Sequence, residues 1–206
     1  MKKRQRFKNK FKITKAVIIA AVFEVILIGT AIANLVIKQW KDVFLCILAM
    51  VVLTAPFIIK YIASKNNIVL PKSFELVAVV FIILAQYCGE ILNFYNFWWW
   101  DLFLHGVAGC YLFIIGICIY KSINIPKKQI NKKVVILVDI IFSFGFSIAI
   151  GVLWEIFEAT GDYLFKTHMT ENGLEDTAGD LLIKTVTALI TSIIYYFYKR
   201  KDNVKL

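Results

Sequence analysis

Six apolar runs of about twenty residues divide this chain, and at 1.5 Å per helical residue each is long enough to cross the roughly 30 Å hydrocarbon core of a bilayer. They cover approximately 16–37, 43–63, 74–92, 99–120, 134–157 and 180–198. Backbone in lipid must satisfy its own N–H and C=O groups, so each run is expected to be a helix and the whole an all-α, six-helix membrane bundle. Composition agrees, with 60% hydrophobic residues and a mean hydropathy of +0.72, against about 45 to 50% apolar in soluble domains. No connection is long enough for a soluble domain. The organisation is therefore a basic segment at 1–15, one membrane domain at 16–198 and a basic tail at 199–206.

The first run has the flanks of a secretory signal, including Ala31-Ile32-Ala33 as a small-x-small pattern. Glu24 interrupts it and its length suits a span, so an uncleaved first helix is expected, with Glu24 turned to the bundle interior. Pro56 falls in the second run, where neighbouring helices are expected to satisfy the carbonyl it frees.

A net charge of +10 in a soluble chain would suggest nucleic acid, but the cations here lie between spans. Twenty of the 24 Lys and Arg fall at the termini and in the connections after the second and fourth runs. The other connections hold only Lys38, Lys41 and Lys166. The positive-inside rule then places both termini in the cytoplasm, with the chain in the bacterial cytoplasmic (inner) membrane, the lipid bilayer as its surroundings and no nucleic-acid partner. Cys46, Cys88, Cys110 and Cys118 lie in apolar runs without Cys-x-x-Cys spacing, which indicates neither a disulfide framework nor a thiolate metal site.

The acids collect at the opposite end. Ten of the 14 lie at or near the outer face: Asp42, Glu90, Asp101, Glu155, Glu158, Asp162, Glu171, Glu175, Asp176 and Asp180. Asp101 and His105 are four residues apart, so a helix puts them on one face, where they bind one object together or are satisfied separately by neighbours. Asp101, Asp176 and Asp180 are expected at helix starts, where a carboxylate caps amides and gains roughly 0.3 to 1 kcal/mol from the dipole. Glu90, Glu155 and Glu158 are expected at helix ends, where the dipole disfavours them. A cation should compensate the latter, and the candidates are Lys184, a metal or a proton. A metal would take Asp101, His105, Glu155 and Glu158; oxygen donors favour magnesium or manganese, and the imidazole leaves zinc or iron open. Glu90, Trp100, Trp154, Asp162, Asp176, Asp180 and Lys184 are the expected surrounding or substrate-contacting residues. The aromatic stretch 93–100 and the 163–177 connection are expected to roof the pocket, with His168 a candidate lid residue.

Trp100-Asp101-x-x-Leu104-His105-x-x-x-Gly109, Trp154-Glu155-Ile156-Phe157-Glu158-x-x-x-Asp162 and Asp176-Thr177-x-x-Asp180-Leu181 resemble the YjdF-type bacterial inner-membrane proteins. They are also similar, more distantly, to the VanZ-like pattern, with Glu158 where those chains usually carry Gln. The first resemblance implies a polytopic membrane protein and supplies no reaction; the second points by analogy to the cell envelope. Ala108, where the YjdF pattern often has Ser, and Lys184, at a commonly acidic or neutral position, depart from it.

The expected function is that of an integral membrane protein with an extracytoplasmic pocket, acting as a metal-assisted hydrolase or transferase on an envelope lipid-linked substrate. A transporter or cation-binding permease using Glu24, and a non-catalytic scaffold, are the alternatives. The topology predicts that reporters fused after Lys199 or ahead of Lys15 are active only in the cytoplasm, whereas one inserted at Gly173 is active only outside. The reverse pattern would invert the bundle.

Overall fold

The computed structural model describes residues 13–123, 131–165, 169–170 and 173–202. Its regular elements among the described residues are all helical, and six spans are long and apolar enough to cross a membrane. The helices are α1 (Lys15–Val36), α2 (Trp40–Leu53), α3 (Ala55–Lys65), α4 (Phe74–Ile82), α5 (Trp100–Ser122), α6 (Lys132–Phe165) and α7 (Leu174–Asp202). A π-helical segment, Ile83–Ile91, continues α4, and α2 with α3 forms a single span.

The second span bends differently from expectation. Thr54 separates α2 from α3, and its hydroxyl donates to the Val51 carbonyl at 2.7 Å. Pro56 thereby falls in the first turn of α3, where a missing N–H costs little, and no neighbouring helix is needed to compensate it.

Two groups of three spans result. In one, α1 packs on α2 and α4 through small or compact residues: Ala16, Ala20, Leu53 and Val79 form one buried cluster, and Leu27, Cys46 and Ala49 another. In the other, α5, α6 and α7 pack on one another. Lipid offers helices no hydrophobic reason to associate, so close backbone approach and interhelical hydrogen bonds must hold them. Gly109 supplies such an approach, because a Cβ there would stand 2.5 Å from the Lys184 carbonyl oxygen of α7. Gly116 does the same towards α6, at 2.8 Å from the Cα of Ser143. The Ser147 hydroxyl donates to the Gly109 carbonyl at 3.0 Å, tying α6 to α5. With 39% of its span buried, against 17 to 28% for the others, α5 is the central helix.

Two helix limits differ from the expected ones, and both move candidate acids. α6 runs on to Phe165, so Glu155 and Glu158 lie inside a continuous helix rather than at its end, and the dipole penalty expected for them falls away. α7 already begins at Leu174, which puts Asp180 in its second turn rather than at its start. At 34 residues α6 is roughly 50 Å long, more than a bilayer core requires, so its polar last turns extend the helix beyond the apolar run. The third span differs too: Gln86, Gly89 and Glu90 lie in the π segment, closed by a Leu92 N–H to Tyr87 carbonyl bond of 2.8 Å.

Gly109→Val is expected to lower stability by about 1 to 3 kcal/mol through forced separation of α5 and α7. At Gly145 an added methyl meets nothing within 4 Å, so Gly145→Ala should be neutral or stabilising. Thermal unfolding in mild detergent measures both.

Candidate functional site

The first turns of α5 carry Asp101 and His105 to the level of the polar half of α6 and the start of α7. Asp101 sits in the first turn of its helix, as expected, and His105 follows one turn deeper. The imidazole lies between three helices: its Nε2 is 3.4 Å from Asp101 Oδ1, and its Nδ1 is 3.4 Å from Glu155 Oε1 of α6 and 4.0 Å from Asp180 Oδ1 of α7. The Lys184 ammonium stands 3.3 Å from the same Glu155 oxygen. His105, Glu155, Asp180 and Lys184 are only 6, 4, 2 and 3% exposed, so these polar groups share a dry interior.

Lys184 reaches Glu155 because Gly151 gives way to it. A Cβ at Gly151 would stand 2.5 Å from Lys184 Cδ, so the aliphatic stem crosses α6 at its glycine. Of the compensating cations expected from sequence, this one is in place, and it pairs with Glu155 rather than with Asp180, its neighbour one turn away. It compensates one carboxylate. Asp101, Glu155, Glu158 and Asp180 bring four acids around one imidazole and one ammonium, an excess that a low-dielectric interior tolerates only with bound protons or a further cation.

Among the described residues, two buried atoms of this cluster have no hydrogen-bond partner, His105 Nδ1 and Glu155 Oε2. Among the described residues, donor atoms close enough to share an ion form two groups, Asp101 with His105 and Asp180, and His105 with Glu155 and Glu158. The four ligands expected from sequence are therefore divided between two groups that share the imidazole. Asp180, placed in the surrounding set from sequence, belongs to the first of these groups.

The other candidates take varied places. The Trp154 indole N–H donates to Glu158 Oε1 at 2.7 Å, so Trp154 touches the cluster through that glutamate. Trp100 is buried against Phe94 and Trp99, with its indole N–H unpartnered. Asp162 accepts from the Met169 and Thr170 amides at 2.7 and 2.8 Å and from the Thr170 hydroxyl. Asp176 is half-buried in the first turn of α7. Glu90 is half-buried on the π segment and outside both donor groups. His168 and Glu171 lie outside the described residues. Glu24 is half-buried on α1, whereas Asp139, on α6 in the other helix group, accepts from the Tyr195 hydroxyl at 2.8 Å.

Tyr95 was not singled out by the sequence, from which the 93–100 stretch is expected only as a whole to roof the pocket. A left-handed Asn93 turns the chain into a 3-10 turn, Phe94–Asn96, and the Tyr95 ring folds onto Gly89. A Cβ at Gly89 would lie 2.9 Å from Tyr95 Cζ. Burial, and then the negative charges of Asp101, Glu90, Glu158 and Asp180, push the Tyr95 phenol well above its usual range. It is thus a neutral hydroxyl beside the acids. Gly89, six residues earlier, was the available signal.

The chain matches the family described as "Predicted membrane protein (DUF2238)" over residues 15–201 and belongs to it. An uncharacterized protein of Thermotoga maritima is 28% identical over 143 residues, 69% of this chain and 70% of that protein. No solved structure matches.

Lys184→Met should cost about 3 to 5 kcal/mol by stranding a buried carboxylate, and Glu155→Gln a comparable amount. The double variant should recover much of that loss, and a double-mutant cycle on thermal stability reads the coupling.

Proposed function

We propose that this member of the DUF2238 family carries a divalent-metal centre at the junction of α5, α6 and α7, serving a hydrolase or transferase reaction on an amphiphilic, lipid-linked substrate of the cell envelope. The observation behind this reading is the imidazole's environment: Nε2 faces Asp101, whereas Nδ1 is buried, unpartnered and turned towards the carboxylates of Glu155 and Asp180. A carboxylate on one ring nitrogen orients a histidine for a metal on the other. The unpartnered Glu155 Oε2 and the excess of carboxylates fit a cation in the same place.

In this reading His105, Glu155 and Glu158 hold the metal and Asp180 stands close enough to join or replace one of them. A bound divalent cation supplies Lewis-acid polarisation and an acidified water. Asp101 fixes the ring tautomer. Lys184 keeps one Glu155 oxygen engaged and leaves the other for the metal, while Tyr95 offers a neutral donor at the acidic end. The Trp154 indole N–H engages one Glu158 oxygen and leaves the other for the metal. The VanZ-like spacing supports the envelope assignment by analogy, and the acid-rich, cation-poor sequence of this end supports its facing outward.

Protein purified in mild detergent without chelator is expected to hold near-stoichiometric divalent metal. His105→Ala and the Glu155→Ala, Glu158→Ala double variant should lose it, and Asp101→Asn should weaken affinity by about 10- to 100-fold. Absence of metal in the parent after addition of magnesium, manganese or zinc would overturn the reading.

A further inference from the structure

Every charged, imidazole or hydroxyl side chain that is buried among the described residues belongs to α5, α6 or α7. On α6 they form a ladder with a step of four residues: Asp139, Ser143, Ser147, then Gly151, then Glu155. Each rung meets a neighbouring helix. Asp139 accepts from the Tyr195 hydroxyl of α7 at 2.8 Å, and Ser143 lies against Gly116 of α5. The Ser147 hydroxyl donates to the Gly109 carbonyl of α5 at 3.0 Å, and Thr187 of α7 packs on the same glycine. At Gly151 the polar group arrives from α7, as the stem and ammonium of Lys184, which leads to Glu155. The seam from residue 139 to residue 155 is roughly 24 Å long at 1.5 Å per residue, most of a bilayer core of about 30 Å.

Helix packing in lipid calls for small residues, not for polar ones. The other helix group shows this, since α1 and α2 pack through Ala16, Ala20, Cys46 and Ala49. Ser143 and Ser147 are small as well as polar, but Asp139 is neither small nor apolar, and it is 5% exposed. Its hydrogen-bond donor is a neutral phenol. The Lys121 ammonium of α5 stands over the Tyr195 ring, 5.4 Å from its centre, and Cys118 of α5 lies near the same phenol. Among the described residues no cation forms an ion pair with Asp139. A carboxyl group placed so within a membrane is a proton-binding group. Adjacent rungs are about 6 Å apart along the helix, close to two hydrogen bonds of about 2.8 Å in series, so one water between rungs joins them.

We propose that α5, α6 and α7 carry a proton pathway between the basic and acidic ends of the bundle, in which Asp139 binds each proton entering from the basic end. The Asp139 carboxylate takes up a proton and passes it towards Ser143. Each hydroxyl or water then accepts one proton while releasing its own, so the net change is one proton moved along the seam. At its other end the seam meets the charged cluster, where the Asp101 side chain is 31% exposed. The group required to titrate is Asp139, which faces Tyr195 from α7 and Lys121 and Cys118 from α5. This activity is additional to the metal chemistry proposed above and does not depend on it.

The test uses the full chain in liposomes, with a potassium diffusion potential set by valinomycin and internal pH read by entrapped pyranine. Proton influx should exceed that of protein-free vesicles by about tenfold or more, and Asp139→Asn should remove most of the excess. Asp139→Glu, which keeps a titratable carboxyl, should restore it. Ser147→Ala should slow it severalfold, and Gly145→Ala, at a position open on all sides, should leave it unchanged. Thermal unfolding in detergent checks that each variant is folded; if Asp139→Asn is not, Ser147→Ala decides in its place. Influx no faster than in empty vesicles, equal influx in the folded Asp139→Asn or Ser147→Ala protein, or a current carried by sodium at constant internal pH overturns the pathway.

Discussion

Glu155 is a carboxylate 4% exposed in a helix that crosses the membrane, and such a group persists only if charged partners are delivered to it. Lys184 and His105 are those partners, one from α7 and one from α5. Their delivery sets the geometry of the whole C-terminal group. Gly151 lets the lysine stem pass over α6, and Gly109 lets α5 approach the very turn of α7 that carries Lys184. Ser147, one turn before Gly151, bonds the Gly109 carbonyl and pins the same crossing from the α6 side. Small residues and ionic groups thus form one device: the glycines permit the approach that the charges require.

Carboxyl groups outnumber basic groups around the imidazole. Lys184 offsets Glu155, but Asp101, Glu158 and Asp180 surround the same imidazole, and Glu90 acts on the nearby Tyr95 phenol. A stabilising network would sit closer to balance, since each uncompensated carboxylate adds cost in a low-dielectric interior. By contrast, Asp139 towards the other end of α6 accepts from the neutral Tyr195 hydroxyl, and Asp162 accepts from two backbone amides and the Thr170 hydroxyl. Carboxyl groups outnumber cations around His105, which is why the functional reading is centred there.

Beside this cluster the chain also departs from regular helix. The π segment and the left-handed Asn93 bring Tyr95 back over Gly89, towards the acids. An apolar cavity lined by Val80, Leu84, Leu104 and Val107 lies between the junction of α4 with that π segment and α5.

Much of this was legible in the sequence. Run length and backbone hydrogen-bond demand determine six helices, and four-residue spacing determines that Asp101 and His105 share a face, since both follow from local covalent geometry and the apolar solvent. The gathering of acids towards one end followed from counting spans. What sequence placed wrongly were ends and breaks: α6 continues through Glu155 and Glu158, α7 starts ahead of Asp180, and Thr54 resolves Pro56, because polar turns continue a helix wherever its backbone bonds can still close. Only tertiary structure decided that Lys184 pairs with Glu155, that Asp180 joins His105 and that Tyr95 faces the acids. Those choices depend on how closely helices distant in the chain approach, and the approach is set by glycines whose partners no local pattern reveals.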